Sequence, residues 1–278
     1  MRILISGGSG FFARGFVREA LNRGAERICI YSRGEYAQAL MRQEFDDDRL
    51  RFLIGDVRDQ PRLLRAMEDI DTVISAAALK RIETSFYNPD EVVKTNVIGT
   101  MNTIDAAKIA GVRKVVLVST DKAAIPKSVY GFSKATAEAL VLAANNMSGA
   151  NGPAYSVCRF GNVWCSTGSI VPKWRAMIAA GEKVVPVTDP ECTRFFMRIE
   201  EAAKLVYREA ESSSGGRTVI PDLPAYQVAD LAEAMGVGIL ISGLPDFEKA
   251  HETMDGITHS NEVRRMTVDE LRRELARG

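Results

Sequence analysis

Tyr130 and Lys134 stand four apart in Ser128-Val-Tyr-Gly-Phe-Ser-Lys134, shortly after the strand-like run Val115-Val-Leu-Val-Ser-Thr120. Side chains at i and i+4 of a helix project from the same face. An ammonium beside a phenol favours the phenolate, so Lys134 is expected to lower a tyrosine pKa that starts near ~10. A tyrosine tuned in this way exchanges a proton with a hydroxyl while hydride leaves the same carbon. Taken alone, Tyr-x-x-x-Lys is common on helix surfaces. Its weight comes from the segments around it.

Gly7-Gly-Ser-Gly-Phe-Phe-Ala13 lies between the strand-like Ile3–Ser6 and a helical run from Phe12 to Arg23. That is the setting a dinucleotide fingerprint requires. Gly7 permits the tight turn, Gly10 lets the backbone approach a pyrophosphate, and Ala13 is small enough for helix–strand packing. The helix N-terminus offers free N–H groups and partial positive charge to the phosphates. The second strand ends in Tyr31-Ser-Arg33. No acid stands there for a ribose 2′-hydroxyl, whereas Ser32 and Arg33 suit a 2′-phosphate, which favours NADP over NAD. Asp56, closing the third strand, either accepts a hydrogen bond from an adenine amino group or caps the next helix.

The elements that must position these groups follow a βαβ rhythm. Strands are expected at Ile3–Ser6, Arg27–Tyr31, Leu50–Ile54, Thr72–Ser75, Lys114–Thr120 and Tyr155–Arg159. Between them, Pro61–Glu68 reads as one helix and Asp90–Ala110 as one long helix closed by Gly111. The pattern predicts an α/β fold, a Rossmann-type doubly wound parallel sheet with ligands at the carboxyl ends of its strands. Beyond about residue 160 the rhythm loosens. Residues 1–160 are read as the NADP-binding domain, and 161–278 as mainly a small C-terminal substrate-binding lobe with segments returning to the sheet.

Composition narrows the function classes. The chain has 278 residues, 46% hydrophobic, enough for a sizeable core. Lys plus Arg and Asp plus Glu both total 36, which speaks against a nucleic-acid partner or a polybasic membrane segment. With only His251 and His259, a Ser-His-Asp hydrolase or a His-rich zinc site is disfavoured. Cys29, Cys158, Cys165 and Cys192 form no metal-like spacing, so no metal is expected, and Cys29 reads as a core thiol. No signal-like segment and no run of ~18 apolar residues occurs. The expectation is a soluble, cytoplasmic protein.

Taken in order, several segments resemble the extended short-chain dehydrogenase/reductase superfamily, and within it the inverting UDP-N-acetylglucosamine 4,6-dehydratases of polysaccharide biosynthesis. They are the glycine loop, Tyr31-Ser-Arg33, Arg51-Phe-Leu-Ile-Gly-Asp-Val-Arg-Asp59, Ala76-Ala-Ala-Leu-Lys80, Tyr87-Asn-Pro89 and Lys94-Thr-Asn-Val-Ile-Gly99. Ser119-Thr-Asp-Lys-Ala123, leading to Tyr130-Gly-Phe-Ser-Lys134, is the most specific. Arg159-Phe-Gly-Asn-Val163, Gly168-Ser-Ile-Val-Pro172, Thr193-Arg-Phe195 and Glu248-Lys-Ala-His-Glu252 follow. The resemblance implies a nucleotide-sugar substrate and a reaction in stages: oxidation at C4, loss of water across C5 and C6, and return of hydride to C6. It assigns Tyr130 to the C4 hydroxyl proton and Lys134 to the nicotinamide ribose. Thr120 would bond the C4 oxygen. Asp121 would be the acid for the leaving C6 hydroxyl, with its pKa raised by burial. Lys122 would be the base at C5, which needs a lowered pKa. Dinucleotide contacts are implied for Gly7, Ser9, Gly10, Phe11, Phe12, Ser32, Arg33, Asp56, Val57, Ala76, Ala77, Ala78 and Asn96, beside Tyr130 and Lys134. A packed helix asparagine is the competing reading of Asn96. Lys80, Asn162, Ser169 and Arg194 are the substrate candidates, Arg194 because its fork suits a diphosphate. A homo-oligomer, dimer or higher, is expected by analogy.

The chain also departs from the family pattern. Ser242-Gly-Leu-Pro-Asp-Phe247 stands where Arg-Pro-Gly is usual before Glu248, and Arg81 where histidine is usual. His251 and Glu252 receive no chemistry. An NAD(P)-dependent nucleotide-sugar epimerase or reductase, using Tyr130 and Lys134 alone, is the alternative. A non-catalytic NADP-binding regulator is a third.

Overall fold

β-Branched runs form short strands, and amphipathic runs between them form helices. The computed structural model describes residues 1–277. The order begins β1 (Arg2–Ser6), α1 (Phe11–Asn22), β2 (Arg27–Ser32), α2 (Glu35–Phe45), β3 (Leu50–Ile54), α3 (Gln60–Ala66) and β4 (Thr72–Ser75). It continues with α4 (Ile82–Tyr87), α5 (Pro89–Val93), α6 (Gly99–Ile109), β5 (Lys114–Thr120), α7 (Val129–Asn146) and β6 (Ala154–Phe160). Then come β7 (Asn162–Val163), α8 (Ile170–Ala179), β8 (Val184–Val187), β9 (Thr193–Met197), α9 (Ile199–Ser212) and β10 (Thr218–Val219). β11 (Ala225–Gln227), α10 (Val228–Ala234), β12 (Gly238–Ile241) and α11 (Val268–Arg277) complete it.

Seven strands make one parallel sheet in the order β10-β6-β5-β4-β1-β2-β3. Every residue of β4, and Ile3 to Ser6 of β1, is buried, as a sheet covered on both faces demands. Phe16, Val17 and Ala20 of α1 pack with Ala202, Ala203 and Val206 of α9 on one face. Leu63, Ala106, Ala137 and Val141 from α3, α6 and α7 cover the other. Each fully buried Val, Leu or Phe contributes about 1.5–3 kcal/mol to this packing. The strand order reverses beside β1, so a crevice opens at the carboxyl ends of β1 and β4, where such sheets take their ligands.

The later part of the chain divides its allegiance. α9 packs on the main sheet, and β10 adds to it beside β6. A three-stranded sheet β11-β9-β7 and a two-stranded sheet β12-β8 surround a separate core of Trp174, Val185, Phe196, Tyr226 and Leu271. Among the described residues no helix is long and apolar enough to cross a membrane.

Two local features differ from the sequence reading. The helix cap before α3 is Asp59, whose side chain accepts from Arg62 N at 3.0 Å; Asp56 does not serve as that cap. The long helix expected over residues 90–110 starts at Pro89 and is interrupted by a π-helical turn at Lys94–Ile98. Such turns often accompany functional sites. Here the turn carries Asn96, which is 2% exposed. Its side-chain nitrogen donates to Leu79 O (3.0 Å) and Ser133 Oγ (2.9 Å), while its oxygen accepts from Leu79 N (2.9 Å). Asn96 thereby ties the loop after β4 to α7. Asn96→Ala should strand these buried partners and cost about 1–3 kcal/mol. A urea unfolding midpoint equal to that of the unsubstituted protein would deny the clamp.

Candidate active site

Three chain segments deliver the reactive groups to one place. β5 ends at Thr120, whose hydroxyl accepts from Lys122 N at 3.3 Å and starts a single 3-10 turn, Asp121–Ala123. Ser128 caps α7, accepting from Gly131 N at 3.2 Å, and this fixes Tyr130 in the helix's first turn with Lys134 one turn on. A Cβ on Gly131 would sit 2.5 Å from Lys122 O, so only glycine lets α7 approach the Asp121–Lys122 turn this closely. The third segment, from beyond β12, brings Glu248, Lys249 and Glu252.

Thr120 Oγ1 donates to Asp121 Oδ1 at 2.9 Å, and Lys122 Nζ donates to the same oxygen at 3.2 Å. Asp121 is fully buried and its Oδ2 has no hydrogen-bond partner. Burial pushes the Asp121 carboxyl up, opposed by the charge of Lys122 and reinforced by that of Glu252. The carboxyl therefore takes up a proton more readily than an ordinary aspartate, the direction the sequence reading expects.

Two expectations about charge are overturned. Burial pushes Tyr130 up to about 12, while the charge of Lys122 and a Thr120 hydrogen bond pull the other way. Lys134 is not what tunes it: its Nζ donates to Val118 O at 2.8 Å, and burial pushes Lys134 itself down to about 8. Lys122 was expected to be depressed. Burial does push it down, but Asp121 and Glu252 outweigh burial and hold it above the ordinary lysine value. Sequence spacing placed the tyrosine and lysine on one face correctly, but it carries no information about the carboxylates that a distant segment packs around Lys122.

Thr120, Lys122, Tyr130 and Lys134 open into a cavity of about 1230 Å³, while Asp121 lies buried behind Thr120 and Lys122, outside its lining. At one end it is bounded by Gly7, Ser9, Gly10, Phe11 and Phe12, with Ala76 and Ala78 beside them. Gly7 has φ +66°, and a Cβ there would lie 2.9 Å from Ala77 N and Cα. Gly10 caps α1 without any side-chain bond, and no acid stands in the helix's first turn. Uncapped N–H groups at a helix start suit a phosphate, so the residues present fit a dinucleotide. Ser32 is joined to this end by its Oγ, 3.0 Å from Ser9 Oγ. Arg33 is exposed, with Nη1 3.9 Å from Asp56. Asp56 is held by Arg58, at 2.9 Å to Nε and 2.7 Å to Nη2. Val57 is buried in the core between sheet and helices, Ala77 packs against the Gly7 turn, and neither they nor Asn96 line the cavity.

At the other end Lys80, Asn162, Ser169 and Arg194 all line the cavity. Asn162 Oδ1 accepts from Lys122 Nζ at 3.5 Å, and Ser169 stands at the start of α8. Arg194 is engaged within the protein: it donates to Thr193 O (2.7 Å), Ala250 O (2.9 Å) and Glu248 Oε1 (2.5 Å). These bonds use three of its five N–H donors and fix the guanidinium at the cavity wall. Glu252 and Lys249 are the site residues the sequence reading left without a role. Their only signal was their place in the Glu248–Glu252 segment, which names no partner. His251 is structural, its Nδ1 2.9 Å from Thr193 Oγ1.

The sheet order, the glycine turn and the Tyr130–Lys134 pair on a shared cavity define an extended short-chain dehydrogenase/reductase. The chain belongs to the polysaccharide biosynthesis protein family, whose sequence pattern matches residues 3–271. It is 42% identical over 255 residues to the UDP-N-acetylglucosamine 4,6-dehydratase (inverting) of Campylobacter jejuni, covering 91% of this chain and 76% of that one. It is 37% identical over 237 residues to the UDP-glucose 4-epimerase of Rickettsia canadensis, covering 84% and 69%. Pen from Bacillus thuringiensis has the same fold with a TM-score of 0.93 and 31% identity over 99% of this chain and 97% of that one. The dTDP-glucose 4,6-dehydratase DesIV of Streptomyces venezuelae, solved with NAD, shares the fold at TM-score 0.85 and 21% identity, covering 99% and 96%.

Proposed function

We propose that this protein is a nucleotide-sugar 4,6-dehydratase, inverting at C5, that acts on UDP-N-acetylglucosamine and yields a 4-keto-6-deoxy sugar for glycan assembly. The observation that carries this reading is the Asp121–Lys122 pair, with Lys122 lining the same cavity as Tyr130 and Asp121 buried directly behind it. Beyond the dinucleotide as hydride acceptor, oxidation at C4 needs only the tyrosine as base. An additional acid and an additional base are what water elimination requires. The identity to the Campylobacter jejuni dehydratase supports the same substrate.

Tyr130 takes the C4 hydroxyl proton, and Thr120 turns its hydroxyl from Asp121 Oδ1 to the C4 oxygen when substrate is bound. Lys122 removes the C5 proton, which the 4-ketone has made acidic. Asp121 protonates the leaving C6 hydroxyl, and its full burial excludes water that would otherwise level its acidity. The cofactor, NADP in this reading, supplies the hydride acceptor at C4 and the hydride donor at C6. Gly7 and Gly10 would hold its pyrophosphate, Lys134 its nicotinamide ribose, and Ser32 with Arg33 its 2′-phosphate.

Incubation with UDP-N-acetylglucosamine and NADP, followed by mass spectrometry, tests the reading. Loss of ~18 Da, one water, is expected. Conversion at C4 without that loss would make the protein an epimerase, the reading favoured by its identity to the Rickettsia canadensis enzyme. Arg33→Ala should weaken NADP binding by roughly tenfold or more while leaving NAD binding unchanged, because a charge-assisted bond to the 2′-phosphate is lost. Equal losses for the two dinucleotides, measured by titration calorimetry, would remove Arg33 from the 2′-phosphate site.

A further inference from the structure

Lys122 is clamped between two carboxylates from different parts of the chain. Asp121 Oδ1 lies 3.2 Å from its Nζ, and so does Glu252 Oε1. Glu252 is 2% exposed, in a segment more than a hundred residues later, next to the isolated pairing of Thr193 with His251. A buried carboxylate is expensive unless it is matched by positive charge. The match here is Lys122 on one oxygen and Lys249 on the other, with Lys249 Nζ 2.8 Å from Oε2. The Lys249 contact is an ion pair without hydrogen-bond alignment, since Oε2 has no aligned donor. Lys249 is itself anchored to Ala124 O at 2.9 Å, on the loop that follows the Asp121–Lys122 turn. The mechanism above uses Asp121, Lys122 and Tyr130 and leaves Glu252 without a task.

The charged and titratable groups that act on Lys122 are Asp121, Glu252, Arg194 and Tyr130, and Lys80 feels its charge in turn. Lys249 faces it through Glu252. Of these, Asp121 takes up a proton more readily than an ordinary carboxyl, because of its burial. Glu252 is the opposite case: burial pushes it up, but Lys122, Arg194 and Lys249 outweigh that and bring it down to about 2. Glu252 is therefore the lasting negative charge next to the amine.

We infer that Glu252 is a positioning residue that holds Lys122 as an ammonium in the resting protein, so that the amine is unmasked only when a proton leaves this group. The inference about Lys122's charge stands on the geometry; its consequence for elimination rests on the dehydratase reading. Unmasking has an acceptor within reach. Asp121 starts as the carboxylate paired with the ammonium, and the burial that raises its pKa makes it the better acceptor: one Lys122 N–H bond breaks and an O–H bond forms on Asp121 Oδ1. Ammonium and carboxylate become amine and carboxylic acid, and Glu252 keeps its charge. The same transfer produces the base for C5 and the acid for the C6 hydroxyl. In the elimination that follows, the amine takes the C5 proton and the C5–H electron pair forms the C5–C6 double bond. The C6–O bond breaks, and the hydroxyl leaves as water with the proton of Asp121. Lys122 ends as ammonium and Asp121 as carboxylate, the pair restored beside Glu252.

The test reads Lys122 directly, without turnover. The intact protein is labelled with trace acetic anhydride across a pH series, and the peptide carrying Lys122 is quantified by mass spectrometry against exposed lysines. In the unsubstituted protein, Lys122 should become reactive at higher pH than an ordinary lysine of ~10.4. Glu252→Gln should move that midpoint down by roughly 1–3 units, and Glu252→Asp should restore part of it. A merely structural role for Glu252 would alter yield or melting and leave the midpoint in place. An unmoved midpoint in Glu252→Gln overturns the inference. So does a midpoint at or below the ordinary value in the unsubstituted protein, a result that needs no variant to fold. Absence of water loss from UDP-N-acetylglucosamine would sink the dehydratase reading and leave this labelling result standing by itself. If water is lost, the low-pH limb of the elimination rate should shift with the labelling midpoint in Glu252→Gln.

Discussion

Tyr130→Phe should cut oxidation at C4 of UDP-N-acetylglucosamine by about 10²–10⁴-fold, the usual worth of a positioned general base. Dinucleotide affinity should stay unchanged, because the glycine turn, Ser9 and Lys134 are untouched. The phenol is 8% exposed and loses only its oxygen, so the helix capped by Ser128 should fold as before. The effect is large because nothing else in the cavity replaces it. Thr120 already donates to Asp121, and Lys134 is turned to the Val118 carbonyl. The measurement is the appearance of reduced nicotinamide absorbance on mixing with substrate, alongside calorimetric titration of NADP. Near-normal absorbance growth in Tyr130→Phe would remove the tyrosine from the proton transfer.

Lys122→Ala should separate the stages. Oxidation at C4 should continue, with reduced nicotinamide building up, while water loss falls by about 10²–10⁴-fold. Removing the lysine leaves two buried carboxylates without their shared cation, and a broken buried pair costs about 3–5 kcal/mol. Part of that cost is avoided because Asp121 can take up a proton and Lys249 still holds Glu252. A melting curve therefore belongs with the kinetics. Full dehydratase activity in a folded Lys122→Ala protein would show that the base is elsewhere. Loss of both stages together, with folding intact, would mean that Lys122 mainly serves Tyr130, whose phenolate its charge favours.

Much of the frame was legible before any coordinates. The strands over Thr72–Ser75 and Lys114–Thr120 fall where the apolar runs end, because in a sheet covered on both faces the buried run and the strand coincide. Helix α2 escaped notice for the converse reason. It buries only Gln38 and Met41, Gln38 is held by hydrogen bonds to Ser32 O and Leu53 O, and the apolar Tyr36 and Leu40 are exposed, so its apolar pattern and its buried face do not coincide. The π-helical turn at Lys94–Ile98 was equally invisible, since a single widened turn leaves helix composition unchanged. Its cause is tertiary: Asn96 reaches Leu79 and Ser133 at once.

By itself the sequence determined the parallel α/β architecture, the glycine turn, the shared face of Tyr130 and Lys134, and the adjacency of Thr120, Asp121 and Lys122. All of these depend on local spacing: a period of two or 3.6, a left-handed turn, or neighbours in the chain. Only the tertiary structure decided their charges. Folding brings Glu252 and Lys249 against Lys122, turns Lys134 toward the Val118 carbonyl, pairs Arg194 with Glu248, and buries Tyr130 and Asp121. A pKa is set by burial and by charges a few ångströms away. Which distant residues become those neighbours is a property of the packed chain, and local spacing does not encode it.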